Sequence, residues 1–163
     1  MAGPPSLDLE VVTVVEINPS LLTASVKPRL SDVAGAVLDD EGQSGRWEGA
    51  FVLVDDDRLQ ALHQQFMGTD EPTDVMTFER SPEDGEPDES GSMVHGGDIV
   101  ISVDRAAEQA AEGGNTAERE VLFLAVHGML HLTGWVDYSA EQRAAMLDRG
   151  ESILRRLEAS SSP

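Results

Sequence analysis

Apolar positions along this chain change their spacing, and the change separates strands from helices. Val11-Val-Thr-Val-Val15 is β-branched and predicts a first strand. Between Pro28 and Asp40 the apolar residues move to Leu30, Val33, Ala34, Val37 and Leu38, the stripe of an amphipathic helix. Glu41-Gly-Gln-Ser-Gly45 predicts a loop, and Trp47 to Val54 a second strand. Asp55-Asp-Asp57 stops that strand and caps a helix whose buried face is Leu59, Leu62 and Phe66. Val75 to Phe78 is a short strand after the turn-forming Glu71-Pro-Thr-Asp74, and Arg80 to Ser92 a solvated loop. Gly97 to Ser102 is a further strand, leading into a helix from about Asp104 to Glu112. Asn115 followed by Glu118 predicts the start of a helix that is apolar on nearly every side. Ser139 with Gln142 opens a last helix to about Leu157, leaving 159–163 as a frayed, disordered tail. Strands early and long helices late predict one α+β domain over residues 1–163.

The apolar helix carries the chain's main chemical signal, His127-Gly-Met-Leu-His131-Leu-Thr-Gly134-Trp-Val-Asp137. Helical residues at i and i+4 share a face, about 5–6 Å apart at Cβ, so two imidazoles grip one ion from the same side. Gly134 stands where the helix can stop, because glycine enters the left-handed conformation at no steric cost. The chain then folds back and offers Asp137 as a third ligand. Three protein ligands leave one position open to water, the layout of a catalytic metal rather than a structural one. Burying two imidazoles in an apolar helix without partners is costly, and a metal is an economical partner. His63 and His95 are expected to be partly exposed residues, and Asp74 and Asp98 to serve at strand borders.

Composition narrows the chemistry. The chain has no cysteine, so a metal centre must use nitrogen and oxygen ligands. Aromatics make up only 4% of residues, so the core falls to Val, Leu, Ala and Met. Residues 1–10 lack the basic-then-apolar pattern of a secretory signal, and runs such as Val121 to Val126 are too short to span a bilayer. A soluble protein in a reducing cytoplasm, without membrane contact, is the expectation. Eleven Lys and Arg against 31 Asp and Glu give a formal charge of −20, which repels phosphate backbones at long range. Nucleic-acid binding therefore requires a local basic group or a bound cation.

The histidine spacing resembles the HExxHxxGxxH/D motif of zinc proteases, but Gly128 occupies the position of their general base. A closer resemblance is to the YbeY family, metal-dependent endoribonucleases of bacterial rRNA maturation. That family's HGxLHLxGYDH is similar to residues 127–137, its PTDVLSF to Pro72-Thr-Asp-Val-Met-Thr-Phe78, and its GDIVIS to Gly97-Asp-Ile-Val-Ile-Ser102. Ala106 to Glu120 also resembles the family's helix, ending in Glu-Arg-Glu. These blocks lie in the family's order across roughly residues 50–155. The resemblance implies a zincin-like α+β fold with a small mixed four-stranded sheet and surrounding helices. It also implies one zinc ion, cleavage of single-stranded RNA, trimming of the small-subunit (16S) rRNA 3′ end, and ribosome quality control. Ribosomal RNA, the small subunit and ribosomal proteins are the implied partners.

Two departures stand out. The family's third histidine falls on Asp137; aligning Tyr138 there instead requires an inserted residue and breaks the ligand spacing. Aspartate is a competent zinc ligand, but it lowers the net charge of the site, and a bound water is then expected to be less acidic. Two histidines and a carboxylate also suit iron or manganese. The second departure is Met67, where the family carries an arginine; Arg105 and Arg119 are the candidates to replace it. Proton removal is left to the metal-activated water, to a carboxylate elsewhere or to the RNA 2′-hydroxyl. Competing readings are a non-catalytic, metal-stabilised ribosome-assembly factor and a metallohydrolase of another substrate.

Overall fold

An alternating edge strand and inner strands with continuous apolar runs build the mixed sheet. The structure is a computed structural model and describes residues 5–14, 21–68, 74–79 and 94–161. Its strands are β1 (Ser6–Thr13), β2 (Arg46–Val54), β3 (Val75–Glu79) and β4 (Val94–Ser102), in the order β1-β2-β4-β3. β1 runs parallel to β2 and β2 to β4, with Phe51 opposite both Val11 and Ile99. β3 closes the edge antiparallel to β4, pairing Thr77 with Ile99. The helices among the described residues are α1 (Val26–Asp40), α2 (Asp56–Met67), α3 (Val103–Gly113), α4 (Ala117–Leu132) and α5 (Ala140–Ser161). The fold is thus α+β with a small mixed sheet.

Successive side chains on a strand point to opposite faces, so the sheet has two apolar sides. Phe51, Leu53, Ile99 and Ile101 join the main core with Leu30, Val33 and Val37 of α1 and Val121, Ala125 and Leu130 of α4. Val52, Val54, Met76 and Val100 form a smaller cluster with Leu59 and Leu62 of α2. Helix α4 is enclosed by α1, α3, α5 and β4. That enclosure explains why a sequence apolar on nearly every side is helical there.

Several boundaries differ from the sequence expectation. β1 begins at Ser6 because Leu7, Leu9 and Val11 alternate with Asp8 and Glu10, a period-2 pattern that continues into the β-branched run. Phe66 is not part of a buried face; it is 57% exposed and meets Phe78 edge-on, with ring centroids 5.1 Å apart. The N-cap of α4 is Thr116, whose hydroxyl accepts from Arg119 N–H at 3.1 Å. Asn115 instead finishes the preceding turn, donating its N–H to the Ala110 carbonyl. Glu118 reaches across to the start of α1, accepting from the Thr23 N–H at 2.8 Å and from Arg29 at 3.1 Å.

Residues 159–161, expected to fray, continue α5, and the Ser160 hydroxyl donates back to the Arg156 carbonyl at 2.8 Å. Expectations for Val15, for the turn residues 71–73, for the loop 80–92 and for residues 162–163 lie outside the described residues.

Candidate metal centre and its cleft

Helix α4 sets the two histidines on one side and then ends. Leu132 is its last residue, and the Thr133 N–H returns to the Met129 and Leu130 carbonyls. Gly134 takes a φ of 110°, the positive range that a side chain disfavours, and turns the chain back over the helix end. The Trp135 N–H bonds the Leu130 carbonyl at 3.1 Å, and its indole N–H donates to Glu41, at the end of α1. So fastened, the turn delivers Asp137 to both imidazoles. Asp137 Oδ2 lies 3.6 Å from His127 Nε2 and 3.5 Å from His131 Nε2. The two rings stand nearly perpendicular, with centroids 4.8 Å apart.

These distances suit one shared ion. Two ligand atoms bound tetrahedrally at about 2.1 Å stand about 3.4 Å from each other. One ligand atom from each of the three residues falls within 4.8 Å of the other two. The group could therefore hold a metal. His131 Nδ1 sits 3.1 Å from the Trp135 carbonyl. With the proton on Nδ1 donated to that oxygen, Nε2 keeps its lone pair for the ion, the orientation that ligating histidines usually receive from a second partner. Burial pulls the His127 pKa below its ordinary value, and the adjacent His131 adds to this, against the opposing pull of Asp137 and Asp74. A neutral imidazole is the form that binds metal.

Gly128 separates this centre from a protease site. A Cβ there would lie 2.6 Å from Ile99 Cγ2, so the position faces the sheet and has no room for a glutamate.

The triad opens into a cleft of about 900 Å³. Asp74, Gln109 and Glu120 line it, with Met67 on the rim, 64% exposed. Asp74 directly precedes β3, as expected of a strand border, and its Oδ2 accepts from Gln109 Nε2 at 3.0 Å. Glu120 lies two helical turns before His127 on α4. Burial raises its carboxyl pKa, and Asp74 and Glu151 add to this, while Arg119 opposes it. Sequence reasoning passed over Glu120, although the seven-residue step to His127 places both on one helical face.

His63 is half-buried and lines the cleft as well, whereas His95 stacks on Trp47, with centroids 5.3 Å apart. Asp98 lies inside β4, opposite Phe78, rather than at a strand border. Arg105 and Arg119 do not enter the cleft: Arg105 pairs with Asp56 at 3.2 Å, and Arg119 with Glu151 at 2.8 Å.

Residues 17–158 match the family described as Endoribonuclease YbeY. The chain belongs to that family. The Endoribonuclease YbeY of Pelotomaculum thermopropionicum is 40% identical over 129 residues, covering 78% of this chain and 84% of the relative. That of Symbiobacterium thermophilum is 37% identical over 155 residues, 92% of this chain and 93% of the relative. Among solved structures, TM1509 from Thermotoga maritima is similar in fold, with a TM-score of 0.59 and 24% identity over 94% of this chain and 90% of that one. The match with the family therefore spans the cleft and the α4 turn together. No described helix is long and apolar enough to cross a membrane.

Proposed function

We propose that this chain is a metal-dependent endoribonuclease of single-stranded RNA. Its task is 3′-end maturation of 16S rRNA and ribosome quality control, carried out in the cytoplasm on the small subunit and among ribosomal proteins. Membership of the YbeY family supports the nuclease reading. The observation that carries it at the level of chemistry is the convergence of His127, His131 and Asp137 at the floor of an open cleft.

In this reading the three residues hold one divalent ion, with zinc the first candidate and iron or manganese compatible with the same donors. When bound, such an ion polarises a phosphate oxygen and activates the attacking water. The protein's own groups do the rest. Asp137 and the two Nε2 atoms fix the position of the charge, and the Trp135 carbonyl holds the His131 ring in place.

Incubation of purified, metal-loaded protein with single-stranded RNA, with and without chelator, tests the function. Chelator-sensitive cutting that disappears in His131→Ala is the expected result. RNA left intact, with ribosomal proteins still retained, would instead establish the non-catalytic assembly factor.

A further inference from the structure

An RNA strand entering this cleft meets carboxylates first. Asp74, Glu79, Glu120 and Asp137 line it, while Arg143 is the one Lys or Arg among the described residues that does. A phosphodiester brings one negative charge per nucleotide, so the approach needs a compensating cation besides any metal.

The arginines of this chain are otherwise committed. Arg29, Arg46, Arg58, Arg105, Arg119, Arg149, Arg155 and Arg156 each stand within ion-pair distance of a carboxylate. Among the described residues Arg143 has no such partner, although the chain holds 31 Asp and Glu. Lys27 shares that property but lies on α1, away from the cleft.

The position of Arg143 is fixed by local structure. Ser139 and Gln142 form a reciprocal capping box, each side chain accepting the other's backbone N–H at 3.1 Å. This starts α5 immediately after the turn that carries Asp137 and puts Arg143 in the first helical turn. Tyr138, just before the box, is 89% exposed and lines the same cleft.

We infer that Arg143 is a phosphate-binding residue for the RNA strand and that Tyr138 beside it is the stacking platform for an unpaired base. The inference rests on the endoribonuclease reading and adds the substrate contact which that reading lacks. A guanidinium offers a planar fork of donors that matches two phosphate oxygens. An aromatic ring accepts any base whose face is free, which selects single strands over duplexes. Together they let a strongly acidic protein hold RNA at one point, close to the centre that cuts it.

The test is binding of a fluorescein-labelled, unstructured 2′-O-methyl oligoribonucleotide to the full-length, metal-loaded protein, followed by anisotropy across a sodium chloride series. Arg143→Ala is expected to raise Kd about tenfold or more and to flatten the slope of log Kd against log salt by about 0.7. Arg143→Lys should fall between it and the wild type. Lys27→Ala removes the same charge off the cleft and should leave both quantities near wild type. Tyr138→Ala should weaken binding without changing the slope, and Tyr138→Phe should restore it. An Arg143→Ala protein indistinguishable from Lys27→Ala overturns the phosphate contact, and a wild type that still cuts RNA shows that the nuclease reading survives it. A wild type that neither binds nor cuts RNA overturns both.

Discussion

The two walls of the cleft are built on opposite plans. One wall is the end of α4 and its turn, where eleven consecutive residues, 127–137, supply the candidate metal ligands found among the described residues. Its helix is buried and its turn is pinned by backbone hydrogen bonds and by the Trp135 to Glu41 contact. The rest of the lining comes from separate elements: Met67 from α2, Asp74 before β3, Gln109 from α3 and Arg143 from α5. Met67 and Arg143 among them are exposed. Chemistry that needs ligand atoms held to fractions of an ångström sits on the rigid, local wall. Contacts to a substrate of variable sequence are spread over the other surfaces, where an exposed side chain can be replaced at little cost to the fold.

Breaking the local wall should have the largest effect. His131→Ala is expected to lose stoichiometric metal, measured by elemental analysis, and with it RNA cleavage by about 100-fold or more, because the open-site geometry requires all three ligands. Asp137→Ala should likewise lower metal occupancy; undiminished occupancy would remove the aspartate from the ligand set.

Trp135→Phe sharpens the same wall without touching a ligand. It deletes the indole N–H that anchors the turn to Glu41 and should weaken metal affinity roughly tenfold, as losses of outer-shell support do, in a competition titration against a chelating dye. Gly128→Ala probes the packing behind the ligands. Alanine gains about 1 kcal/mol of helix propensity, but the clash with Ile99 outweighs it, for a net loss of about 1–2 kcal/mol in chemical denaturation. A stabilised Gly128→Ala protein would show that β4 can yield at this point.

The smallest effect is expected inside the cleft, from Glu120→Gln. The folded-state pKa of Glu120 is raised, so the folded protein holds its proton to higher pH than the unfolded chain does. Stability therefore falls as pH rises from the ordinary glutamate range through the raised value, and the cost is fully present above it. Glu120→Gln should be the more stable protein at neutral pH, with the difference vanishing in acid. Thermal melts at pH 4 and pH 7 check the sign, and equal gains at both would place the effect in packing instead of charge.

The same contrast governs what was legible in the sequence. The pair His127 and His131, the break at Gly134 and the return of Asp137 needed only helix geometry and one glycine, so spacing revealed them. The capping box at Ser139 was visible for the same reason. Local rules failed where two residues competed for one role: Thr116 and Asn115 are both competent N-caps, and the end of α3 claimed Asn115. They failed also for Phe66, whose helical spacing matches that of Leu59 and Leu62 but which meets only the edge of Phe78 at the margin of the small cluster and stays 57% exposed.

By itself the sequence determined the order of strands and helices, the absence of thiolate ligands and the identity of the three residues that converge at the end of α4. Each of these depends on neighbours within about two helical turns, where backbone geometry is periodic. The tertiary structure decided which charges are free. Arg105 and Arg119 are engaged outside the cleft by carboxylates dozens of residues away, and an ion pair across that separation leaves no trace in local spacing.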